Sequence, residues 1–592
     1  MENMELKLNE ALELINKEDF IGAQAKLSEI IKEQPENIEV LKNLGLCEVN
    51  LDNPIAAIEA FLKVVQIDDT DATSRYYLAS CYSRVGEKEK AIVEFEKVLE
   101  LRPDFLEVYK SLAMIYIEFS QIESALALLN KALENENLEF DYSFYYILAT
   151  TNMLIKDNQK AAEYLTKALE LNPQHTGIAN SLSVCLMNLG QYEKVETILK
   201  SAIEIDNQNS LTYYNLGIYY QTIEDFKNAI SSFQMSYQIE PSITMLATLA
   251  NCALKGQEFE LASTLYQNLV MAYPNNSQYR ISYVEALEAL RNYPVALENL
   301  NYVLKVDEKN IDLIKKKGTL LRKLGLNIES IETFNLLLNR GKVDVEVYYN
   351  LAFNYVELAD FDNAKEMFKK CIILEPNNPY AHKDLGVLYL KMNCYEWAVD
   401  EMLEAIELED DVAEFHYSLG VAYMMLSNME DAKKSFHKAL DIDSSYVDAM
   451  AYLGYAYLLE KNYEKTNEYL QKAIEIDPTN FLAKNHLAKY YFEIKKFDIA
   501  KQFLLDLTSD IKDDETMNML AICYMETNDF EDAMGIFSKL VVDYPKNHIL
   551  LTNLAKCELQ CQKITEATEH LRQALMIYSD FDEALKLLEE IK

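Results

Sequence analysis

The 592-residue chain carries 56 basic and 96 acidic residues, a formal net charge of −40, and half of its residues are hydrophobic. A polyanion of this kind is repelled by phosphate backbones and anionic lipid surfaces, which excludes nucleic acid as a general partner. No run of 18 apolar residues appears, and the opening MENMELKLNEALELINKEDF lacks the basic and apolar regions of a secretory leader, so a cytoplasmic protein without membrane insertion is expected.

From the first residues onward the chain is periodic. An alanine or glycine returns every 34 residues, as at Gly45, Ala79 and Ala113 and again at Gly386, Gly420 and Gly454. Aligning on these residues gives seventeen repeats. They begin at Met4, Ile38, Ala72, Leu106, Tyr142, Thr176, Ser210, Ile243, Ser277, Ile311, Val345, Pro379, Ala413, Val447, Phe481, Asp514 and His548. Within each, apolar residues at positions 4, 7 and 11 surround the small residue at 8, as in Tyr213, Leu216, Gly217 and Tyr220. At 100° per residue these share one face of a helix. A second helix is marked by a small residue at position 20 and a bulky one at 24: Ala57 with Phe61, Ala91 with Phe95, Ala432 with Phe436. Small residues at both places let the two backbones approach closely. Proline at position 32 in eight repeats stops the second helix. The period-2 alternation of strands is missing, so the chain is expected to be all-α. DEALKLLEEIK, from Asp582, is expected to form a capping helix over 582–592 that closes a continuous array spanning 4–581.

These residues resemble the tetratricopeptide repeat family. Its pattern is a large residue at 4, Leu at 7, Gly or Ala at 8, Tyr at 11, Ala at 20, Phe at 24, Ala at 27 and Pro at 32. Position 8 is Gly or Ala in fifteen repeats, with Ser183 and Val284 the exceptions, and position 20 is Ala in fourteen, with Val195, Ser330 and Thr466 departing. The resemblance implies a right-handed superhelical solenoid of antiparallel helix pairs, about seventeen of them, with a concave groove lined by first helices. It also implies a non-catalytic scaffold that binds a peptide or protein segment, needs no cofactor, and is not an enzyme.

Signatures of catalysis or nucleotide binding are absent: the chain has no GxxxxGK[ST], GxGxxG, GxSxG or HExxH. Six of the nine cysteines (Cys47, Cys81, Cys185, Cys252, Cys523, Cys557) recur at position 10 and read as packing residues of a reduced compartment. Cys557 and Cys561 stand four apart without a third ligand, and no metal site is expected. His382 and His416 occupy position 4 of successive repeats and read as aromatic substitutes in the large-residue slot. Nine of the forty tyrosines fill position 11 and belong to the core.

The face of the first helix away from this core, positions 2, 6, 9 and 13 flanked by 5 and 12, is the groove that the resemblance assigns to ligands. In repeats eleven to fourteen it presents Tyr349, Phe353, Val356, Tyr380, Val387, Tyr417, Val421, Met424, Met425, Tyr455, Leu458 and Leu459. An apolar, aromatic and Met-bearing strip of this size marks a candidate partner surface. A tight winding of the solenoid or a homotypic contact that makes the chain a homo-oligomer would bury the same residues. A second station lies in repeats nine and ten, 277–344, where eleven basic residues face nine acidic ones and the register is weakest, with Val284, Lys317 and Ser330 at pattern positions. Lys315, Lys316, Arg322 and Lys323 there form either a solvated, degenerate repeat or a clamp for an acidic peptide or carboxylate. The dicarboxylate clamp of chaperone adaptors is not supported, because Lys42, Lys110, Lys315 and Lys383 at position 5 are followed by Leu46, Met114, Thr319 and Val387 at 9. An asparagine ladder at position 6 survives only at Asn43, Asn215, Asn350 and Asn553. Two alternatives to a free-standing scaffold remain open: a substrate-presenting or regulatory subunit of a multi-chain enzyme or assembly, and a self-assembling structural solenoid.

Overall fold

Each first helix has four N–H groups with no partner in the helix, and the residue before it is commonly one that can take them. Side-chain oxygens of Asn37, Asp71, Asp141, Asn209 and Asn480 accept from the backbone of Val40, Ser74, Phe144, Thr212 and Ala483. In the computed structural model, which describes residues 2–341, 344–508 and 513–591, first helices begin at Ile38, Ala72, Leu106, Tyr142 and onward to His548, the residues that open the repeats. The helix of the first repeat starts at Glu2. Second helices start at position 17, from Phe20 and Pro54 to Ile564, except in repeat six, and a last helix spans Asp582–Glu590. Among the described residues there are 35 α-helices and no strand, so the fold is an all-α solenoid of antiparallel helix pairs with a terminal helix. Lys342, one of the basic residues of the weak-register stretch, and Lys592, at the end of the expected cap, lie outside the described residues.

The turn inside each pair has one conformational demand. Position 15 has positive φ in all seventeen repeats: glycine supplies it at Gly86, Gly190 and Gly325, while fourteen other residues, such as Asp52, Ser427 and Lys461, adopt φ between 56° and 66°. This is the left-handed region that side chains with a Cβ enter at a cost.

The helices group into two compact units, Met1–Asn299 and Leu300–Lys592. In both, the ring or branched side chain at position 24 packs on the small residue at 8. Phe61, Phe95 and Phe233 do this in the first unit and Phe334, Phe368 and Phe436 in the second, all buried. The fit leaves no slack: a Cβ on Gly217 would lie 2.6 Å from the Phe233 ring, and one on Gly420 2.5 Å from Phe436. A second buried stripe runs along positions 3 and 10, where the first helix meets the second helix of the preceding repeat. It carries Val108, Phe144, Val347 and Phe415 at 3 and Cys47, Cys252, Ala422 and Cys557 at 10. The sequence pattern marks this stripe only through the cysteines, because its other members change type from repeat to repeat.

Burial pushes the Cys47, Cys185 and Cys252 thiols up to about 11 and those of Cys371, Cys523 and Cys557 up to about 12, which removes their thiolate at neutral pH. Only Cys394 and Cys561 are partly exposed. A thiol reagent is therefore expected to label two cysteines in the native protein and all nine in denaturant; rapid native labelling of more than two, read by mass spectrometry, would contradict this packing. No helix among the described residues is long and apolar enough to cross a membrane.

Candidate functional site

In the second unit some first helices of successive repeats touch along their sides, Val447–Leu459 against Phe481–Glu493 most extensively. This contact decides which of the expected groove residues stay open. Tyr380 and Met425 are about half exposed, at 46% and 49%. Tyr349, Phe353, Val356, Tyr417, Val421 and Tyr455 are half-buried, each resting on the core while keeping an open side. Met424 and Leu458, expected on the groove wall, instead belong to the core at 8% and 2% exposure: Met424 packs with Phe436 and Leu453, and Leu458 with Ala483 and Leu487 of the following first helix.

The aromatic residues form two clusters. Tyr349 and Phe353 stand 5.8 Å apart and both meet the Phe368 ring edge-on. Tyr417 is surrounded by Tyr446 at 5.3 Å, Tyr452 at 5.8 Å and Phe436 at 6.3 Å, and Tyr380 meets the Phe415 ring edge-on. Burial raises the Tyr349 and Tyr417 hydroxyls far above the ordinary range, so both remain protonated donors. Between the clusters Lys383 binds Asp384 at 2.8 Å and Glu414 at 2.9 Å. Burial opposes the Lys383 charge, but these two bonds outweigh it and hold its proton more tightly than usual, whereas burial raises the Asp384 carboxyl.

The two stations read from the sequence meet at one residue. Arg322 donates from Nε to the Asn350 side-chain oxygen at 2.9 Å, and its guanidinium lies 5.6 Å from the Phe353 ring centre. It makes no ion pair among the described residues, and burial lowers its proton affinity. Lys315 is committed elsewhere, to Asp344 at 2.6 Å and Glu346 at 3.1 Å. Lys316 is half-buried and Lys323 is exposed, and each is engaged by a neighbouring group. The register defects of this stretch are packed. Val284 is fully buried, Lys317 is half-buried, and the buried Ser330 hydroxyl donates to the Gly318 carbonyl at 2.7 Å while accepting from Asn354 at 2.8 Å. His382 and His416 do not converge: one bonds Glu401 at 2.8 Å, the other the Asp410 carbonyl at 2.9 Å.

Further along the same face is a group that sequence reasoning missed. His486, at position 6 of repeat fifteen, is 5% exposed, stacks on Tyr455 at 4.3 Å and 9°, and has no hydrogen-bond partner at either ring nitrogen. The buried side-chain oxygens of Asn485 and Asn518, at position 5 of repeats fifteen and sixteen, are also without partners. Only a histidine next to Leu482 and Phe492 on this mixed helix face could have signalled the cluster. Burial, with Lys489 adding to it, pushes the His486 imidazole down to about 3 from its ordinary 6.5. The unfolded chain then binds more protons between those values, so the stability this residue allows at neutral pH is lost as pH falls from 6.5 toward 3. His486→Phe is expected to reduce the drop in stability between pH 7 and pH 5 by about 2 kcal/mol. Urea midpoints at both pH values test this, and an unchanged drop contradicts it.

Chemically, the strip offers aromatic faces and one guanidinium without a carboxylate. Models of the tetratricopeptide repeat match residues 53–176, 156–216, 211–243, 345–378 and 417–481, and a model of the coatomer epsilon subunit matches 488–588. Among curated proteins the chain is 22% identical to the Protein CTR9 homolog of Arabidopsis thaliana over 54% of its own length and 31% of that protein. It is 24% identical to a TPR repeat-containing protein of Methanocaldococcus jannaschii over 62% of its own length and 67% of that protein. The chain thus spans about a third to two thirds of the length of these relatives. Among solved structures, YrrB, described as a TPR protein with an unusual peptide-binding site, aligns at 25% identity with a TM-score of 0.30, covering 32% of this chain and 96% of YrrB. With its helix pairs in the 34-residue register and repeat models matching in both units, the chain belongs to the tetratricopeptide repeat family.

Proposed function

We propose that this chain is a non-catalytic cytoplasmic scaffold in which seventeen repeats and the 582–592 helix act as one array. It captures an extended segment of a partner protein along the first-helix face of repeats ten to sixteen. The observation that carries this reading is the strip of half-buried rings, Tyr349, Phe353, Tyr417 and Tyr455, bordered at Phe353 by the Arg322 guanidinium, which makes no ion pair among the described residues. Phe353 and Tyr417 give apolar contact, and Arg322 takes a carboxylate of the segment. Support for a scaffold over an enzyme comes from the chemistry of the reactive side chains, since the buried thiols stay protonated and His486 stays neutral. The acidic surface disfavours nucleic acid.

The test is affinity capture from native extract with the full chain and with an Arg322→Gln, Phe353→Ala, Tyr455→Ala variant that retains helical circular dichroism. Partners bound by the parent are expected to fall about tenfold or more, as loss of central aromatic and arginine anchors commonly causes. Unchanged capture would overturn the reading.

A further inference from the structure

Repeat six breaks the pattern at both small positions, with Ser183 at 8 and Val195 at 20, and has Leu199 at 24. Ser183 and Val195 are both fully buried. Position 20 holds an alanine methyl group in fourteen repeats, and the buried β-branched Thr466 of repeat fourteen still sits in a second helix that starts at position 17, so it is the departure at both small positions that sets repeat six apart. The first turn of its second helix is a 3-10 segment, Tyr192–Lys194, and α-helix begins only at Val195. Beside this turn lies a cavity of about 680 Å³ against the preceding second helix, Asn158–Leu171. Its floor is Leu182 and Leu186, and its walls include Ala162, Leu169 and Ile198. Cavities of this size hold ligands.

The rim is acidic. Glu163, Glu170 and Glu193 line the opening with one cation, Lys194. Among the described residues none of the three carboxylates makes an ion pair, and Glu163 only accepts from Gln159 at 3.2 Å. The other lysines of these two helices are occupied: Lys160 pairs with Asp157, Lys200 with Glu196, and Lys167 lies over the Tyr145 and Tyr164 rings. An apolar floor beneath three unneutralised carboxylates is complementary to one kind of chemistry, a large apolar anchor flanked by cations.

We propose that this cavity is a second docking site, independent of the first-helix face, for a basic amphipathic helix of a partner protein. The helix inserts leucine-sized anchors between the second helices of repeats five and six and sets lysines or arginines against Glu163, Glu170 and Glu193.

The probe is a fluorescent helix-forming peptide with leucines at i, i+3, i+4 and i+7 and lysines elsewhere, titrated into the full chain by anisotropy. A scrambled peptide of the same composition reports general attraction to a polyanion. The amphipathic peptide is expected to bind saturably and about tenfold tighter than the scramble. Two variants are expected to abolish that difference: Thr166→Trp, which fills the cavity from its exposed wall, and the triple Glu163→Gln, Glu170→Gln, Glu193→Gln. Neutralising three exposed glutamates of other second helices, Glu404, Glu407 and Glu475, lowers both peptides equally and keeps the preference. Should Thr166→Trp not fold, the two glutamine triples decide. Equal binding of the two peptides to the parent chain, or equal effects of the two triples, would overturn the proposal. Arg322→Gln with Phe353→Ala leaves this binding unchanged, which separates its outcome from that of the capture experiment.

Discussion

Gly420→Leu is expected to destabilise the second unit by about 1 to 3 kcal/mol or more through overpacking. Even a Cβ at this position would lie 2.5 to 2.9 Å from three atoms of the Phe436 ring, itself fully buried between Ala432 and Ala439. An alanine is accommodated by a small shift of the ring, as at Ala352 beside Phe368; a branched side chain has nowhere to go. Urea denaturation followed by circular dichroism reads the loss. Gly535→Leu is the matched control, because that glycine also sits in a helix but has nothing within 4 Å of its added Cβ, so stability there holds or rises. Equal stability of Gly420→Leu and the parent would sink the assigned crossing.

Ser330→Ala is expected to destabilise by about 1 to 3 kcal/mol although it restores the residue the repeat pattern prefers. The hydroxyl is fully buried, donates to the Gly318 carbonyl and is the acceptor for the Asn354 amide, whose own oxygen has no partner. Alanine would leave the Asn354 amide in an apolar interior with nothing to bind. Ser330→Ala combined with Asn354→Leu removes both ends of the bond, places at position 10 the residue found at Leu320 and Leu388, and is expected to recover most of the loss. If the single variant is as stable as the parent, Ser330 is no more than a small residue.

The repeat register was legible because close helix crossings accept few residue types. Gly420 opposite Phe436 and Ala57 opposite Phe61 announce their geometry in the sequence, and the helix starts follow. The face was only partly legible, because a single helical wheel does not say where the next first helix crosses. Leu458 and Phe353 both belong to the outward set by angle, yet Leu458 is buried against the helix Phe481–Glu493 while Phe353 stays half-buried. The meeting of Arg322 with Phe353 spans repeats ten and eleven, and an alignment that stacks repeats in columns separates what the solenoid brings together. Ser183 and Val195 were visible as departures, but the cavity in that repeat is lined by other residues along the 3-10 turn, whose conformation no residue count contains.

The fourteen non-glycine residues held at positive φ make each helix hairpin slightly less stable than it could be, by about 1 kcal/mol apiece. They lie in turns well separated along the chain, so their effects accumulate almost independently. A nearest-neighbour stack with strain placed at every hinge point behaves as a row of latches of graded stiffness, in which one hairpin can open without unfolding its distant neighbours. Glycine at Lys461 or Ser427 would tighten one latch, and the glycines already at 86, 190 and 325 mark the three that are relaxed. Compliance along the chain is thereby set at residues outside the packed crossings, free to vary while those crossings stay fixed.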